Sequence, residues 1–264
     1  MHGVNAMPIA VLLARREIEA RYRGALLGLL WPLVAPFVLL AVYWLFFGVI
    51  LGLDRSAPIR SGFVLHLFSG YVVWDLFARL AGEGPELLGA QRTLLTRVRV
   101  PLETVFLSRL LYHLAHQAAS LLVLLVVVVA GGRGVSAAVL WLPLLLAGLC
   151  AFSLAATMLA ALVGLVLRDA REVVALVLVA WLFATPVFYD LDGLGPGLGA
   201  GTTAGALLRL NPMYWFTALF RDCLFAGPGP APLALCALVA ASLVLFLAVR
   251  GLLRRRRGLI LDLL

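Results

Sequence analysis

A polar stripe runs along one apolar segment near the middle of the chain. Its members recur at i, i+4, i+7 and i+11, and they are Arg109, His113, His116 and Ser120. Guanidinium, imidazole and hydroxyl groups all donate hydrogen bonds. Polar groups inside a membrane are costly, and for that reason they are functional candidates. The stripe predicts either the lining of a hydrated path for a polar substrate or a set of hydrogen bonds to neighbouring helices.

Two more groups of charged side chains stand near the ends of apolar segments. Asp75 and Arg79 are one helical turn apart, which predicts a local ion pair, with a proton relay as the alternative. Four arginines precede the first long apolar segment, and they are Arg15, Arg16, Arg21 and Arg23.

The sequence contains no recognisable catalytic constellation. It has no H-E-x-x-H, no G-x-S-x-G and no acidic pair placed for glycosyl transfer. All 21 basic residues are arginine, so the chain lacks the lysine that a P-loop requires. Cys150, Cys223 and Cys236 are too few and too scattered for a zinc site or a disulfide framework. We therefore expect a protein that is not an enzyme and that holds no metal or cofactor of its own.

The composition indicates an integral membrane protein. The chain is 64% hydrophobic and 13% charged, with a mean hydropathy of +1.07, whereas soluble domains are about half apolar and a quarter charged. Its apolar runs reach the ~20 residues that a helix needs to cross a bilayer. The alternating ~10-residue segments of a membrane barrel are absent. The net charge of +8 lies beside these runs, where membrane topology explains it better than nucleic-acid binding does.

The apolar runs predict an all-α membrane protein with six transmembrane helices, forming a single domain over residues 1–264. The predicted spans are 26–53, 62–80, 102–130, 138–167, 173–189 and 231–249. Beside them, 15 arginines flank one side and 5 the other, with Arg109 left out because it lies within a span. By the positive-inside rule both termini are cytoplasmic, which agrees with an even number of spans.

Small residues recur every four positions in the predicted fourth span. The two rows are Ser153, Thr157 and Ala161, and Ala156, Ala160 and Gly164. Such rows allow two helix backbones to approach closely. They favour tight packing of this span against another helix.

Two segments outside the spans predict amphipathic helices. Residues 8–23 fit a helix that lies in the membrane interface, with a plain soluble helix as the alternative; Glu17–Arg21 and Glu19–Arg23 would be favourable i,i+4 pairs. Residues 84–100 fit a short cytoplasmic helix with Pro85 in its first turn. That helix is either a docking surface for a soluble partner or only a positively charged anchor.

Residues 202–225 follow a glycine-rich loop and are apolar, but they are too short to cross the membrane and return as two helices. They predict a re-entrant helical hairpin, which is tolerated where protein or a water-filled cavity covers it. Aromatic side chains cluster toward the same outer end and predict either an interfacial belt or a stacking surface for sugar rings at an exit. The exit candidates are Tyr43, Trp44, Phe47, Phe188, Tyr189, Tyr214, Trp215 and Phe216.

Several motifs together resemble the membrane subunit of an ABC-type polysaccharide exporter. Their order and spacing match that family over roughly residues 10–250. The motifs are RYRGALLGLLWPLVAPF at 21–37, RTLLTRVRVPLE at 92–103, LRDAREVVALVL at 167–178 with TPVFY at 185–189, and LNPMYWFTALFRDCLF at 210–225. Such exporters move lipid-linked O-antigen, capsule or teichoic-acid polymers, and the O-antigen type serves lipopolysaccharide biosynthesis.

The resemblance implies a homodimer in the bacterial inner membrane with two copies of a separate subunit that binds ATP and Mg. It implies ATPase-coupling contacts at Glu86, Gln91, Arg92, Thr93, Arg97 and Arg99, and at Arg168, Asp169 and Arg171. The four N-terminal arginines would attract a lipid pyrophosphate headgroup, since guanidinium suits phosphate geometry, although positive-inside anchoring explains them equally well. Trp31-Pro32 and Pro36 would mark a weakened or bent entrance to the first span.

Rival functions remain open at this point. An ABC exporter of small lipids or drugs would have the same architecture. An ion-coupled secondary transporter predicts internal repeats and paired broken helices, and no convincing repeat is present. The third alternative, a structural membrane scaffold, does not explain the polar stripe or the re-entrant segment.

Overall fold

Helices are the regular elements of this protein, and no strand occurs among the described residues. The structure is a computed structural model that describes residues 6–24, 26–52, 62–98, 100–131, 137–189, 202–225 and 229–264. In chain order the α-helices are α1 (Ala6–Tyr22), α2 (Trp31–Tyr43), α3 (Phe63–Ala90), α4 (Leu102–Ala130), α5 (Leu142–Val166), α6 (Ala170–Phe183), α7 (Thr203–Arg209), α8 (Pro212–Leu224), α9 (Pro232–Arg255) and α10 (Arg257–Leu263). A π-helical segment, Trp44–Ile50, extends α2, and a 3₁₀ turn, Ala137–Trp141, leads into α5.

Among the described residues, five helices are long and apolar enough to cross a membrane. They are Trp31–Ile50, Phe63–Ala90, Leu102–Ala130, Ala137–Val166 and Pro232–Arg255. They correspond to five of the six predicted spans, so the prediction of a multi-pass all-α membrane protein is confirmed. The sixth, 173–189, is not confirmed as a span, because α6 has only 14 residues, or about 21 Å of helix. Thr185 precedes Pro186, a position that disfavours helical backbone, and the chain turns at 184–187.

Helix α3 is the centre of the bundle. In its most apolar stretch 72% of the residues are buried, against 11% for the span that begins with α2. It packs against α4, α5, α6 and α8, and its most extensive contact is with α5. Phe68 and Phe77 of α3, Phe106 of α4, and Phe216 and Phe220 of α8 are all fully buried. Their aromatic surfaces form much of the core.

The close approach of α3 and α5 depends on glycine. A Cβ added at Gly84 would lie 2.7 Å from Cβ of Ala160, and one added at Gly164 would lie 2.1 Å from the carbonyl oxygen of Pro85. Both α5 residues belong to the predicted small-residue rows. The prediction of tight packing by this span is confirmed, and α3 is the partner.

The segment between the second and third predicted spans differs from its prediction. No separate helix begins at Pro85: that residue lies inside α3, which continues to Ala90. A short π-helical turn, Leu94–Val98, follows. Pro85 lacks the N–H of a regular helix, but proline inside membrane helices is tolerated when a neighbouring helix supports the backbone, and α5 lies against it. The second span therefore runs without a break into the predicted coupling segment.

Helix α1 packs mainly against α4, and Ala10 and Ala14 are buried on its inner side. Two short helices, α7 and α8, occupy the segment of the predicted hairpin. Asn211 is the N-cap of α8, and its side-chain oxygen accepts a hydrogen bond from the backbone N–H of Met213 at 2.9 Å. The asparagine cap and Pro212 in the first turn are both common signals for a helix start.

Candidate functional site: a charged cavity at the junction of four helices

A cavity of about 260 Å³ opens where α1, α2, α3 and α4 meet. Its polar lining consists of Arg21, Arg79, Tyr112, His113 and His116. Arg21, Arg79 and the two histidines belong to three separate groups in the sequence. Its apolar wall includes Trp31, Pro32 and Ala35 of α2, and Ile18 of α1. Since one side is basic and the other apolar, the cavity suits an amphipathic ligand with an anionic group.

Arg21 reaches the cavity from the last turn of α1. Its Nη1 donates a 2.6 Å hydrogen bond to the hydroxyl oxygen of Tyr112, and its guanidinium carbon lies 5.9 Å from the centre of the Tyr112 ring. A positive charge in the last turn is also favoured by the helix dipole. These contacts fix the end of α1 against α4, which is the element that supplies most of the polar lining.

Arg21 is the member of the predicted headgroup-binding arginines that lines the cavity. Arg15 instead pairs with Glu19 at 2.8 Å on the exposed side of α1, and Arg16 and Arg23 are exposed. The predicted Glu17–Arg21 and Glu19–Arg23 pairs are absent among the described ion pairs. The i,i+4 spacing puts these residues within reach of each other. In the folded protein, however, α1 packs on α4, and Glu17 and Arg21 pair with Arg109 and Tyr112 of that helix.

Asp75 of α3 is the anchor of one part of the site. Its Oδ2 lies 2.6 Å from Nε of Arg79 and 3.7 Å from Nε2 of His116, and its Oδ1 accepts a 2.9 Å hydrogen bond from the Tyr71 hydroxyl. The predicted Asp75–Arg79 ion pair is therefore confirmed. The bond to Asp75 engages Nε of Arg79 and leaves the other N–H donors of a guanidinium for the cavity.

Two glutamates connect α1, α3 and α4 next to this cluster. Nη1 of Arg109 lies 3.1 Å from Oε2 of Glu17 and 3.8 Å from Oε2 of Glu83, and Nε2 of His113 lies 3.2 Å from Oε1 of Glu83. Burial, the largest influence, raises the pKa of the Glu17 carboxyl even though Arg109 acts to lower it. The Glu17–Arg109 ion pair holds α1 to α4. Its attraction offsets only part of the cost of burying the Glu17 carboxylate.

Several polar atoms in this network lie buried without a hydrogen-bond partner. They include Oε2 of Glu17 and of Glu83, Nε of Arg109 and Nε2 of His113. The nearest opposite charges lie at ion-pair distances of 3.1 to 3.8 Å. Unsatisfied buried groups in one place are typical of a site that water or a ligand completes.

The four residues of the polar stripe therefore make different kinds of contact. Arg109, His113 and His116 contact acidic groups of neighbouring helices, and the two histidines also line the cavity. Ser120 donates to the carbonyl of His116 in its own helix at 3.3 Å, and among the described residues it bonds no neighbouring helix. Contacts to neighbouring helices and the lining of a polar space are both present. Sequence reasoning missed Glu83 and the Glu17–Arg109 pair, because partners across helices have no fixed sequence spacing.

The two predicted coupling regions lie side by side. Nη1 of Arg171, at the start of α6, bonds Oε1 of Glu86 in α3 at 2.7 Å, and both side chains are largely exposed. Exposed positions next to them are Arg92, Thr93, Arg97, Arg168 and Asp169, and Gln91 is partly exposed. Arg99 lies outside the described residues. The resulting surface is formed by the end of α3, the turn after it and the loop before α6.

A second ionic contact joins the start of α4, just after the predicted coupling region, to α9. Glu103, at the start of α4, pairs with Arg250 at 3.3 Å and with Arg254, both from α9. Nothing in the sequence pattern paired these residues. The contact attaches the basic end of α9 to the point where the chain re-enters the bundle.

The predicted exit aromatics make several separate pairs of ring contacts. Tyr43 and Phe47 pack with Tyr71 and Phe63 at ring distances of 6.1 and 5.5 Å, and Trp44 is exposed on the same helix. Other ring contacts join Phe183 to Phe188 and Tyr214 to Trp215, at 6.0 and 5.2 Å. The hydroxyl of Tyr189 donates to the carbonyl of Phe183 at 3.0 Å.

Phe216 departs from its prediction as an exit residue. It is fully buried, and its ring lies 5.8 Å from that of Phe152 in α5. Met213, Phe216 and Phe220 follow one face of α8 at i, i+3 and i+7 and are all fully buried. That spacing is typical of a core-facing helix stripe, so the sequence contained the signal for a packing role.

Side chains of α8 and the residue before it hold the opposite end of the bundle. The Asn211 amide accepts a 2.7 Å hydrogen bond from Nε1 of Trp181 and donates to the carbonyl of Ala184 and the hydroxyl of Thr185 at 3.0 and 2.9 Å. Arg221 donates to the carbonyl of His66 at 3.0 Å. These bonds tie α8 to the end of α6 and to the start of α3.

A bundle that is helical throughout its described residues, with several membrane-length helices, defines a polytopic membrane protein. Comparison with known families specifies that class. The profile of the ABC-2 type transporter family matches residues 10–225, and the chain belongs to that family. It is a membrane-spanning transport subunit, and the family resemblance found in its motifs is confirmed.

Relatives named as O-antigen permeases match most of the chain. The O-antigen export system permease protein RfbA of Myxococcus xanthus is 30% identical over 249 residues, which cover 94% of this chain and 92% of that protein. Two proteins of the same name from Klebsiella pneumoniae are 21% identical over 220 residues and 20% identical over 185 residues. These matches cover 83% and 70% of this chain, and 81% and 70% of the relatives.

Proposed function

We propose that this chain forms the membrane channel of an ATP-driven exporter that moves a lipid-linked polysaccharide from the cytoplasm across the bacterial inner membrane. The observation that carries the proposal is the 30% identity to an O-antigen export permease over 94% of the chain. The charged cavity with an apolar wall supports a substrate that is partly lipid. The working unit is a homodimer of this chain with two ATP-binding subunits.

ATP and Mg belong to the partner subunit in this proposal. The chain contains no lysine, and P-loop chemistry needs one on the phosphates. A permease of this kind must therefore receive mechanical work through a contact surface. The surface around the Glu86–Arg171 pair is our candidate, because its arginines are exposed and two separate chain segments meet there.

The continuity of α3 gives a physical route for coupling. Glu86 lies in the same helix as Asp75 and Arg79 of the cavity site. Gly84 and Gly164 hold this helix against α5 in backbone contact. A displacement applied at Glu86 when the ATPase subunits close would move α3 and α5 as one body. The displacement would reach Asp75 and Arg79 at the cavity directly, because α3 has no break between Glu86 and these residues.

The proposed membrane arrangement completes six crossings. Residues 173–189 provide the fifth, in which α6 is extended by the non-helical residues after it. Helices α7 and α8 form a re-entrant hairpin, because α8 has 13 residues, or about 20 Å of helix, and cannot cross a ~30 Å core. Helix α1 lies at the cytoplasmic interface, and both termini are cytoplasmic, as the arginine distribution favours.

Charge reversal on the coupling surface tests the proposal. The double variant Arg92→Glu/Arg97→Glu should insert normally but lose the ATPase subunit during co-purification, because it reverses the exposed positive charges of the proposed contact surface. The matched control is Arg209→Glu, an exposed position at the end of α7, which should retain the ATPase. Undiminished co-purification of the double variant would show that the coupling surface is misassigned.

A further inference from the structure

We propose that the junction of α9 and α10 binds the phosphate group of anionic phospholipids from the membrane around the protein. The site consists of a basic cluster, the arginines at 254–257, and a cavity that opens beside it. It shares no lining residue with the cavity between α1, α2, α3 and α4. Because the ligand is a component of the bilayer, the proposal goes beyond the transport function and does not depend on the substrate.

The charge of the basic cluster is mostly uncompensated. Its four arginines are consecutive in the chain, and all of them are exposed. Within the part of the chain that the structure describes, Glu103 pairs with Arg254, and no carboxylate pairs with the other three. Like charges at adjacent positions repel one another, and a bound anion relieves that repulsion. Guanidinium groups suit phosphate oxygens, which they bind with parallel hydrogen bonds.

The position of the basic cluster along α9 places it at the level of the lipid phosphates. Residues 232–249 carry no charged side chain, and they form about 27 Å of helix, close to the ~30 Å of a bilayer core. Arg254 lies about 8 Å farther along the helix axis. The headgroup region extends the bilayer by roughly 5–8 Å on each side. A helix that crosses the membrane along 232–249 therefore holds these guanidinium groups beside the phosphates.

Helix α10 adds an apolar surface to the basic cluster. Ile260 is buried in the core, whereas Leu259 and Leu263 are 55% and 53% exposed and lie one helical turn apart. Basic side chains beside exposed leucines are typical of a segment that lies in the membrane interface. The leucines can contact the acyl chains while the arginines bind phosphate. A free phosphate ion would gain nothing from the leucine surface.

The cavity beside the basic cluster has room for a headgroup. Its volume of about 330 Å³ equals that of roughly eleven liquid waters. The described lining residues are Pro101, Leu102, Glu103, Leu253, Arg254 and Arg257. Glu103 is paired with Arg250 and Arg254, so Arg257 gives the lining a net positive charge. A bound lipid would join α9 to the start of α4, which directly follows the predicted coupling segment.

Lipid binding to the purified full-length protein in a neutral detergent, without the ATPase subunit, tests the site. The probes are a short-chain phosphatidylglycerol and a phosphatidylcholine of the same chain length, with inorganic phosphate as a competitor. Native mass spectrometry reports the bound lipids. We expect phosphatidylglycerol to bind more tightly than either other probe. Equal binding of phosphatidylcholine would overturn the role of charge, and equally tight binding of inorganic phosphate would overturn the lipid assignment.

Single arginine variants separate the site from general attraction. Arg257→Gln should weaken binding of phosphatidylglycerol about fivefold, the effect of one arginine near an anionic surface. Arg257→Lys keeps the charge and should keep most of the affinity. Arg209→Gln removes the same charge from an exposed position at the end of α7 and should leave the affinity unchanged. Equal weakening by Arg257→Gln and Arg209→Gln would show that the attraction is non-specific and would overturn the site.

A variant of the opposite sign tests the cavity. Glu103→Gln removes the acidic group from the lining and releases the N–H donors of Arg250 and Arg254. It should therefore strengthen binding of phosphatidylglycerol, an effect that damage to the fold does not produce. Unchanged or weaker binding would show that the headgroup does not occupy this cavity.

A docking surface for the ATPase subunit is the other use of a basic cluster at this position. If Arg257→Gln keeps the wild-type affinity for phosphatidylglycerol but loses the ATPase during co-purification, the lipid site is overturned and the cluster is a protein contact. The site and the exporter function fail separately. A complex that exports polymer without preferring phosphatidylglycerol refutes the site alone, and one that binds this lipid at the cluster but transfers no polymer refutes the exporter alone.

Discussion

Adding one methyl group at Gly164 should separate the two most closely packed helices of the protein. In Gly164→Ala the new Cβ would lie 2.1 Å from the carbonyl oxygen, 2.6 Å from Cα and 2.7 Å from the carbonyl carbon of Pro85. All three are backbone atoms of α3, so no side-chain rotation relieves the clash. The helices must move apart or α3 must shift along α5.

The expected loss follows from the packing of the interface. Overpacking a well-packed core by one methyl group typically costs about 1–3 kcal/mol, and a backbone obstacle places this variant at or above the upper end. The α3–α5 contact is the largest in the bundle, so neighbouring side chains would also lose contact. Gly84→Ala should behave alike, because its Cβ would meet Ala160 at 2.7 Å and the Thr157 carbonyl oxygen at 2.8 Å.

A matched glycine in the same helix provides the control. Gly89 of α3 has no atom within 4 Å of an added Cβ, so Gly89→Ala should be neutral or slightly stabilising, by up to about 1 kcal/mol of helix propensity. The assay heats the purified protein in detergent and measures by size-exclusion chromatography the fraction that remains folded. Gly164→Ala should unfold at a clearly lower temperature than Gly89→Ala. Equal midpoints for the two variants would refute the close backbone contact.

Three other changes test the remaining parts of the structure. Asn211→Ala should destabilise the protein by about 2 kcal/mol in the same heating assay, because it removes the helix cap and three further partly buried hydrogen bonds. Wild-type stability would contradict the role of this amide. Cys223 should resist a water-soluble maleimide until the protein is denatured, since it is buried and burial raises its pKa to about 11; mass spectrometry of the labelled folded protein would reveal the opposite result. Because the folded pKa of Glu17 is raised above 4.5, its contribution to stability should fall as the pH rises through the raised value. Glu17→Gln should flatten the pH dependence of the unfolding midpoint, and an unchanged slope would contradict the buried position of that carboxylate.

Much of the helical framework follows from the sequence because the bilayer fixes both length and polarity of a spanning helix. The small-residue rows around Ala160 and Gly164 indicated close packing, and Asp75–Arg79 followed from helical spacing alone. Each of these is a local or periodic property. Such properties can be predicted from one sequence because they do not depend on which distant segments pack together.

The features that the sequence did not indicate depend on contacts between helices. Pro85 carries a strong signal for a helix start, yet α3 passes through it because α5 lies against the backbone there. Glu83 and Glu17 have no sequence spacing that relates them to His113 and Arg109. The cavity itself exists only where four separated segments meet. For that reason the sequence alone places its residues in unrelated groups.

The most direct test of the account is ATP-dependent polymer transfer by the reconstituted complex. Proteoliposomes that contain this chain and its ATP-binding subunit should move a lipid-linked polysaccharide into a compartment where an external glycosidase or lectin detects it. The account predicts transfer only when both subunits and ATP are present, with loss in Arg92→Glu/Arg97→Glu. Transfer by this chain alone, or ATP-driven movement of small lipids or drugs with no polymer transfer, would contradict it.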